Sequence, residues 1–124
     1  MIYLDTHVVV WLYEGLTEKL SPAVQRAIDE NELFVSGMVL LELKFLYEIK
    51  KITNTPSKII TDLEKSIELQ LCDIPLRDIV EKATNLTWTR DPFDRVIVAN
   101  AAFHKHPLIT KDAVIHKNYQ LSVW

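Results

Sequence analysis

Short, wholly apolar runs alternate along this chain with longer segments whose apolar positions recur every three or four residues. Ile2 to Leu4 predicts a strand, and His7 to Glu14 a helix directly behind it. Ser21-Pro22 sets an N-cap before a first-turn proline and opens a helix to about Asn31. Leu33 to Ser36 reads as a buried strand and Gly37 to about Lys51 as a long apolar helix. Ser57 is expected to cap a helix reaching about Glu68, and Leu69 to Ile74 to form a third strand. Pro75 to Leu86 and Pro92 to Lys105 are predicted helical, Leu108 to Thr110 a fourth strand, and Leu121 to Trp124 a candidate fifth.

Strands that are apolar throughout are buried on both faces, which points to an α/β fold with a parallel sheet of four to five strands. The turn-rich stretch Thr53-Asn54-Thr55-Pro56-Ser57 reads as a connection between helices, so residues 1–124 are expected to form a single domain. In a parallel sheet the carboxyl ends of all strands lie along one edge, and ligands bind there. Residues just after the strands therefore carry the search for chemistry.

Composition narrows the classes. The 124 residues are 48% hydrophobic and 25% charged, an ordinary balance for a globular domain. No run approaches the roughly 18 apolar residues of a membrane span, and Asp5 and Glu14 bracket Val8 to Leu12 too tightly for a signal sequence, so a cytoplasmic location is expected. Cys72 is the one cysteine, which excludes an internal disulfide and a cysteine-based zinc site and predicts a core thiol. With only Gly15 and Gly37, no glycine-rich phosphate loop can be drawn. A net charge of -3 argues against charge-driven, indiscriminate binding to nucleic acid, but not against a nucleic acid held by metal ions and a local basic patch.

Several acids fall at the expected sheet edge. Asp5 follows the first strand, Asp112 lies two residues beyond Thr110, Glu42 stands early in the helix leaving the second strand, and Asp91 and Asp94 open the helix before the fourth. Asp5, Asp91 and Asp112 also have an ordinary explanation, since aspartate is a favoured N-cap and first-turn acids suit the helix dipole. Glu42 is different: Met38, Val39, Phe45 and Leu46, its neighbours at helical spacing, are all apolar and supply no cation. Carboxylates that converge repel one another, and a hard divalent cation relieves that repulsion. An all-oxygen donor set favours magnesium or manganese over zinc, and such a site suits phosphodiester hydrolysis.

Leu4-Asp5-Thr6-His7, Ser36 with Glu42, Asp91-Pro92-Phe93-Asp94-Arg95 followed by Val96-Ile97-Val98-Ala99, and Thr110-Lys111-Asp112 together resemble a PIN domain, and in order and interval the VapC-type toxins. The likeness spans Asp5 to Asp112. It implies an α/β/α sandwich around a parallel sheet, with Asp5, Glu42, Asp94 and Asp112 as an acidic quartet that binds Mg2+ or Mn2+ for endoribonucleolytic cleavage of RNA. Asp91 matches an additional acid of the Asp-Pro-Phe-Asp-Arg subgroup, and Thr6, Ser36 and Thr110 match small polar positions beside the acids that hold water or phosphate. The resemblance further implies a homodimer and a cognate antitoxin as partner. Ile115 departs from the subgroup, which often carries an aromatic residue there, and leaves open how the last short helix packs.

Other residues have two readings each. Arg95 either contacts substrate phosphate or pairs with a nearby acid. His7 invites a general-base role, but a structural one is favoured because metal-bound water makes a histidine base unnecessary. Lys105, Lys111 and Lys117 with His104, His106 and His116 make the C-terminal third locally cationic, either as an RNA-facing patch or as a solvated helix end. His104 and His106 lack the four-residue spacing of a helical zinc pair, and a cationic histidine at a helix end is the simpler account. Trp11, Trp88 and Trp124 are assigned to packing ahead of base stacking. Two other functions compete with a nuclease: a non-catalytic module that docks RNA or protein, and a phosphoryl-transfer domain phosphorylated on Asp5. The haloacid-dehalogenase pattern for the latter requires an aspartate where this chain has His7.

Overall fold

A computed structural model describes all of residues 1–124. Strand β1 (Ile2–Leu4) leads into α1 (Thr6–Glu14), a short 3-10 turn (Thr17–Lys19) and α2 (Pro22–Glu30). Then come β2 (Leu33–Val35), α3 (Gly37–Glu48), α4 (Pro56–Ile67), β3 (Gln70–Leu71), α5 (Leu76–Ala83) and α6 (Pro92–Phe103). Strand β4 (Leu108–Ile109), α7 (Ala113–Asn118) and β5 (Ser122–Val123) complete the chain. The five strands form one wholly parallel sheet in the order β3-β2-β1-β4-β5, covered by helices as an α/β/α sandwich. No helix is long and apolar enough to cross a membrane.

The central strands are apolar because both their faces are covered: Ile2, Tyr3, Leu4, Leu33, Val35, Leu108 and Ile109 are all buried. Strand β3 departs from that expectation. It is two residues long, both exposed, because it forms an edge that needs only its inner side paired. Cys72, just beyond it, is half-buried and accepts a hydrogen bond from Asn100 Nδ2 at 3.0 Å, so it sits at the margin of the core. Ile115 is fully buried, and α7 therefore docks through an aliphatic side chain.

Several helix ends differ from the sequence expectation. Thr55, not Ser57, caps α4: its Oγ1 accepts from Lys58 N at 3.3 Å, and Pro56 takes the first-turn position where a missing N–H costs nothing. Helices α3 and α6 stop short of their expected ends, where Lys50 (φ 62) and Lys105 (φ 57) adopt the left-handed conformation, and Glu68 (φ 55) ends α4 in the same way at the expected place. With two glycines in the chain, the usual marker of such an end is missing there. Gly15 (φ 71) supplies it for α1 alone. His106 lies beyond the end of α6, its ring stacked 6.2 Å from Tyr3, and burial pushes its pKa down, which disfavours the cationic form expected there.

Topology places the site. The chain runs outward from β1 through β2 to β3, then returns to lay β4 on the other side of β1. The direction reverses between β1 and β4, and the crevice outside the carboxyl ends of these two strands is where an open α/β sheet accommodates ligands.

Candidate functional site

The register of β1 on β4 builds the first half of this crevice. Leu4 pairs with Ile109, so Asp5 and Thr110 emerge side by side. Thr110 Oγ1 donates to Asp5 Oδ2 at 2.6 Å and accepts from Asp112 N at 3.1 Å. One hydroxyl thus orients both acids. Both groups of the Thr110–Asp5 pair are buried, so loss of the bond leaves a carboxylate oxygen unpaired. Thr110→Val is expected to destabilise the fold by about 1–3 kcal/mol; an unchanged urea midpoint would show that the contact contributes nothing.

The aspartates here serve as caps and also face the crevice. Asp5 Oδ1 accepts from Thr6 N at 2.8 Å and opens α1. Asp91 Oδ1 accepts from Phe93 N and Asp94 N, and Asp112 Oδ1 from Val114 N and Ile115 N. Capping occupies one oxygen of Asp91 and of Asp112, leaving the other free of protein hydrogen bonds.

Glu42 enters from α3. Its apolar neighbours at helical spacing are unevenly buried: Val39 is buried, Met38 and Leu46 are half-buried, and Phe45 is exposed with its ring against Phe93. Burial raises the pKa of Glu42, and Thr6 Oγ1 beside it only partly offsets that rise; this hydroxyl is fully buried and completes no hydrogen bond of good geometry. It is the only such orphaned side-chain atom.

Asp5, Glu42, Asp91, Asp94 and Asp112 line one cleft of about 410 Å³ together with His7, Val8, Trp11 and Lys111. The protein's two salt bridges, Lys58–Asp62 and Arg77–Glu81, lie elsewhere, so none of the five acids has a cationic partner within 4 Å. The electrostatic result is direct. Burial raises the pKa of Asp5 and of Glu42, and His7 partly offsets it for both. Asp94 is pushed up to about 7, first by burial and then by Asp91, Asp5, Asp112 and Glu42. The carboxylates nonetheless stand apart: no three of them close into a ready-made ligand shell.

The remaining sequence candidates are placed as follows. Thr110 spends its hydroxyl on Asp5 and Asp112. Ser36 is buried, caps α3 through Met38 N at 3.0 Å, and lines a separate small pocket with Cys72 and Asn100. Arg95 Nε donates to the Thr89 carbonyl at 2.6 Å and reaches neither an acid nor the cleft wall. His7, Trp11 and Lys111, which sequence patterns assigned to structure or left undecided, are in the wall. The spacing of His7 and Trp11, one helical turn apart behind Asp5, was the available signal.

Fold and cleft together define a parallel α/β domain with an acidic site at its switch point. The family model described as PIN domain matches residues 2–121, and the chain belongs to that family. Solved structures similar to it include a toxin–antitoxin complex from Klebsiella pneumoniae (TM-score 0.70, 17% identity), the match covering 100% of this chain and 97% of that one. VapBC2 from Rickettsia felis bound to a promoter DNA fragment is similar at TM-score 0.66 and 20% identity, covering 100% and 98%. DNA-bound VapBC from Salmonella typhimurium follows at 0.62 and 15%, covering 98% and 93%. No curated protein matches the chain.

Proposed function

We propose that the protein is a divalent-cation-dependent endoribonuclease and the toxin component of a toxin–antitoxin pair. The observation that carries this reading is the set of five carboxylates in one cleft with no cationic side chain within 4 Å of any of them. Carboxylates gathered in one cleft repel one another, which is costly unless a cation joins them. Membership of the PIN domain family and the likeness in fold to toxin–antitoxin complexes support the reading.

The residues fit Mg2+ or Mn2+. The donors are carboxylate oxygens, without cysteine, and Thr6 Oγ1, buried close to this site, is a polar atom left without a protein partner. Asp5, Glu42, Asp94 and Asp112 would hold the ion, with Asp91 at the rim. When bound, the ion supplies Lewis-acid stabilisation of the phosphodiester and lowers the pKa of water. The chain's own contributions are separate. Thr110 fixes the Asp5 carboxylate, and the N-cap bonds fix Asp112 and Asp91. Without an ion Asp94 is pushed up to about 7 by burial and then by its neighbouring acids, so a cation in the cleft would favour its ionised form. Lys111 in the cleft wall faces the backbone of an incoming strand.

A protein partner is supported by α3. Leu41, Phe45 and Ile49 follow one another at four-residue intervals and are 57%, 47% and 46% exposed, an apolar stripe that favours burial against another chain, whether a second copy or the antitoxin. The test of the whole reading is cleavage of single-stranded RNA by purified protein. Cleavage is expected with Mg2+ or Mn2+, and is expected to stop with EDTA and in Asp5→Asn; in cells the wild type arrests growth and Asp5→Asn does not. Cleavage that persists in EDTA contradicts the assignment.

A further inference from the structure

The wall of the acidic cleft does not end at the acids. Trp11, on α1, forms part of it and also part of an adjoining cleft of about 470 Å³, with His7 common to both. Trp124, at the chain's C-terminal residue, meets Trp11 edge-on at a centroid distance of 5.8 Å. Both indoles are only half-buried. Each carries an ammonium group: Lys19 Nζ lies 5.5 Å from the Trp11 ring and Lys111 Nζ 5.6 Å from the Trp124 ring. Lys111 lines the acidic cleft itself and Lys19 the adjoining one.

We propose that Trp11 and Trp124 form a stacking subsite for an unpaired base of single-stranded RNA, with Lys19 and Lys111 as its phosphate contacts. The chemistry follows from what covers the rings. Lysine ammonium groups on flexible stems lie over them, and such groups swing aside to a phosphate while a base takes the aromatic face. Stacking is indifferent to base identity, and it demands a base free of its duplex. Local placement matters because a net charge of -3 gives the chain no general attraction for nucleic acid. Lys111 in the acidic cleft and Lys19 in the adjoining one provide it locally. The subsite rests on the nuclease reading for its purpose, since a base held there sets its neighbouring phosphate at the acids.

Binding in EDTA, measured by anisotropy of a short labelled RNA of mixed sequence, separates this proposal from cleavage. Trp11→Leu is expected to weaken binding about tenfold, to leave an abasic strand of the same length unaffected, and to be rescued by Trp11→Phe. Equal losses for RNA and abasic strand, or no loss, overturn the subsite. Wild-type protein irradiated with bromouridine-substituted RNA provides a reading that needs no variant. Cross-links in peptides containing Trp11 or Trp124 support the proposal, and cross-links confined to other peptides overturn it. A wild-type protein that binds with base dependence but never cleaves would retain the subsite and lose the nuclease.

Discussion

Asp94→Asn is expected to abolish cation-dependent RNA cleavage and, in the same protein, to raise the melting temperature of the metal-free form at about pH 8. Removing a partner of a metal ligand typically costs about 10–100-fold in activity, and removal of a ligand's charge should cost at least that. The stability gain has an electrostatic origin. Asp94 has a pKa of about 7, well above the ordinary carboxyl value, because burial and then four neighbouring acids oppose its ionised form. At pH 8 the folded protein therefore carries a charge that the unfolded chain tolerates better. Asparagine keeps the shape and removes the charge. Since Asp94 is half-exposed, solvent screening reduces the gain to about 1 kcal/mol, or a few degrees. A gain in melting temperature with a loss of activity cannot come from unfolding. An Asn variant that keeps both values of the wild type would place Asp94 outside the site.

That prediction depends on a meeting of residues that the sequence showed only indirectly. The parallel sheet was legible because β1, β2 and β4 are apolar on every residue and therefore buried on both faces. Sheet parallelism alone puts Asp5 and Asp112 on a common edge. Strand order was not legible: that β4 lies beside β1, and brings Thr110 to Asp5, depends on pairing between distant segments. Helices α3 and α6 end short of the sequence expectation where lysine residues, not glycine, take the left-handed conformation. Those residues carry no local signal for it.

The acids were legible for a further reason, namely that one position serves two purposes. An aspartate after a parallel strand caps the following helix with one oxygen and presents the other to the crevice, as Asp112 does. The capping account and the ligand account of such a residue are therefore compatible, and a sequence alone cannot separate them. Trp11 and Trp124 show the opposite case. They lie at opposite ends of the chain, and each alone looks like ordinary packing; only the fold sets them edge to face beside the acids.

Proton and cation should compete for this cleft, and thermal stability should reveal the competition. Asp5, Glu42 and Asp94 all have folded pKa values raised above their ordinary ones. A raised carboxyl pKa means that the folded state binds the proton more tightly. The stability it contributes is present below the unfolded pKa of about 4 and is lost as pH rises through the folded values, which for Asp94 is about 7. The metal-free protein is thus expected to melt at progressively lower temperature, from this site, between about pH 5 and pH 8. A divalent cation replaces the lost protons as counter-charge, and at a hundred times its dissociation constant it adds about 2.7 kcal/mol. Because protons occupy the same oxygens at low pH, the rise in melting temperature with Mn2+ over EDTA should be several-fold larger at about pH 8 than at about pH 5.5. Scanning calorimetry under the four conditions measures this directly. An equal or larger rise at the lower pH would mean that the ion binds somewhere other than these carboxylates.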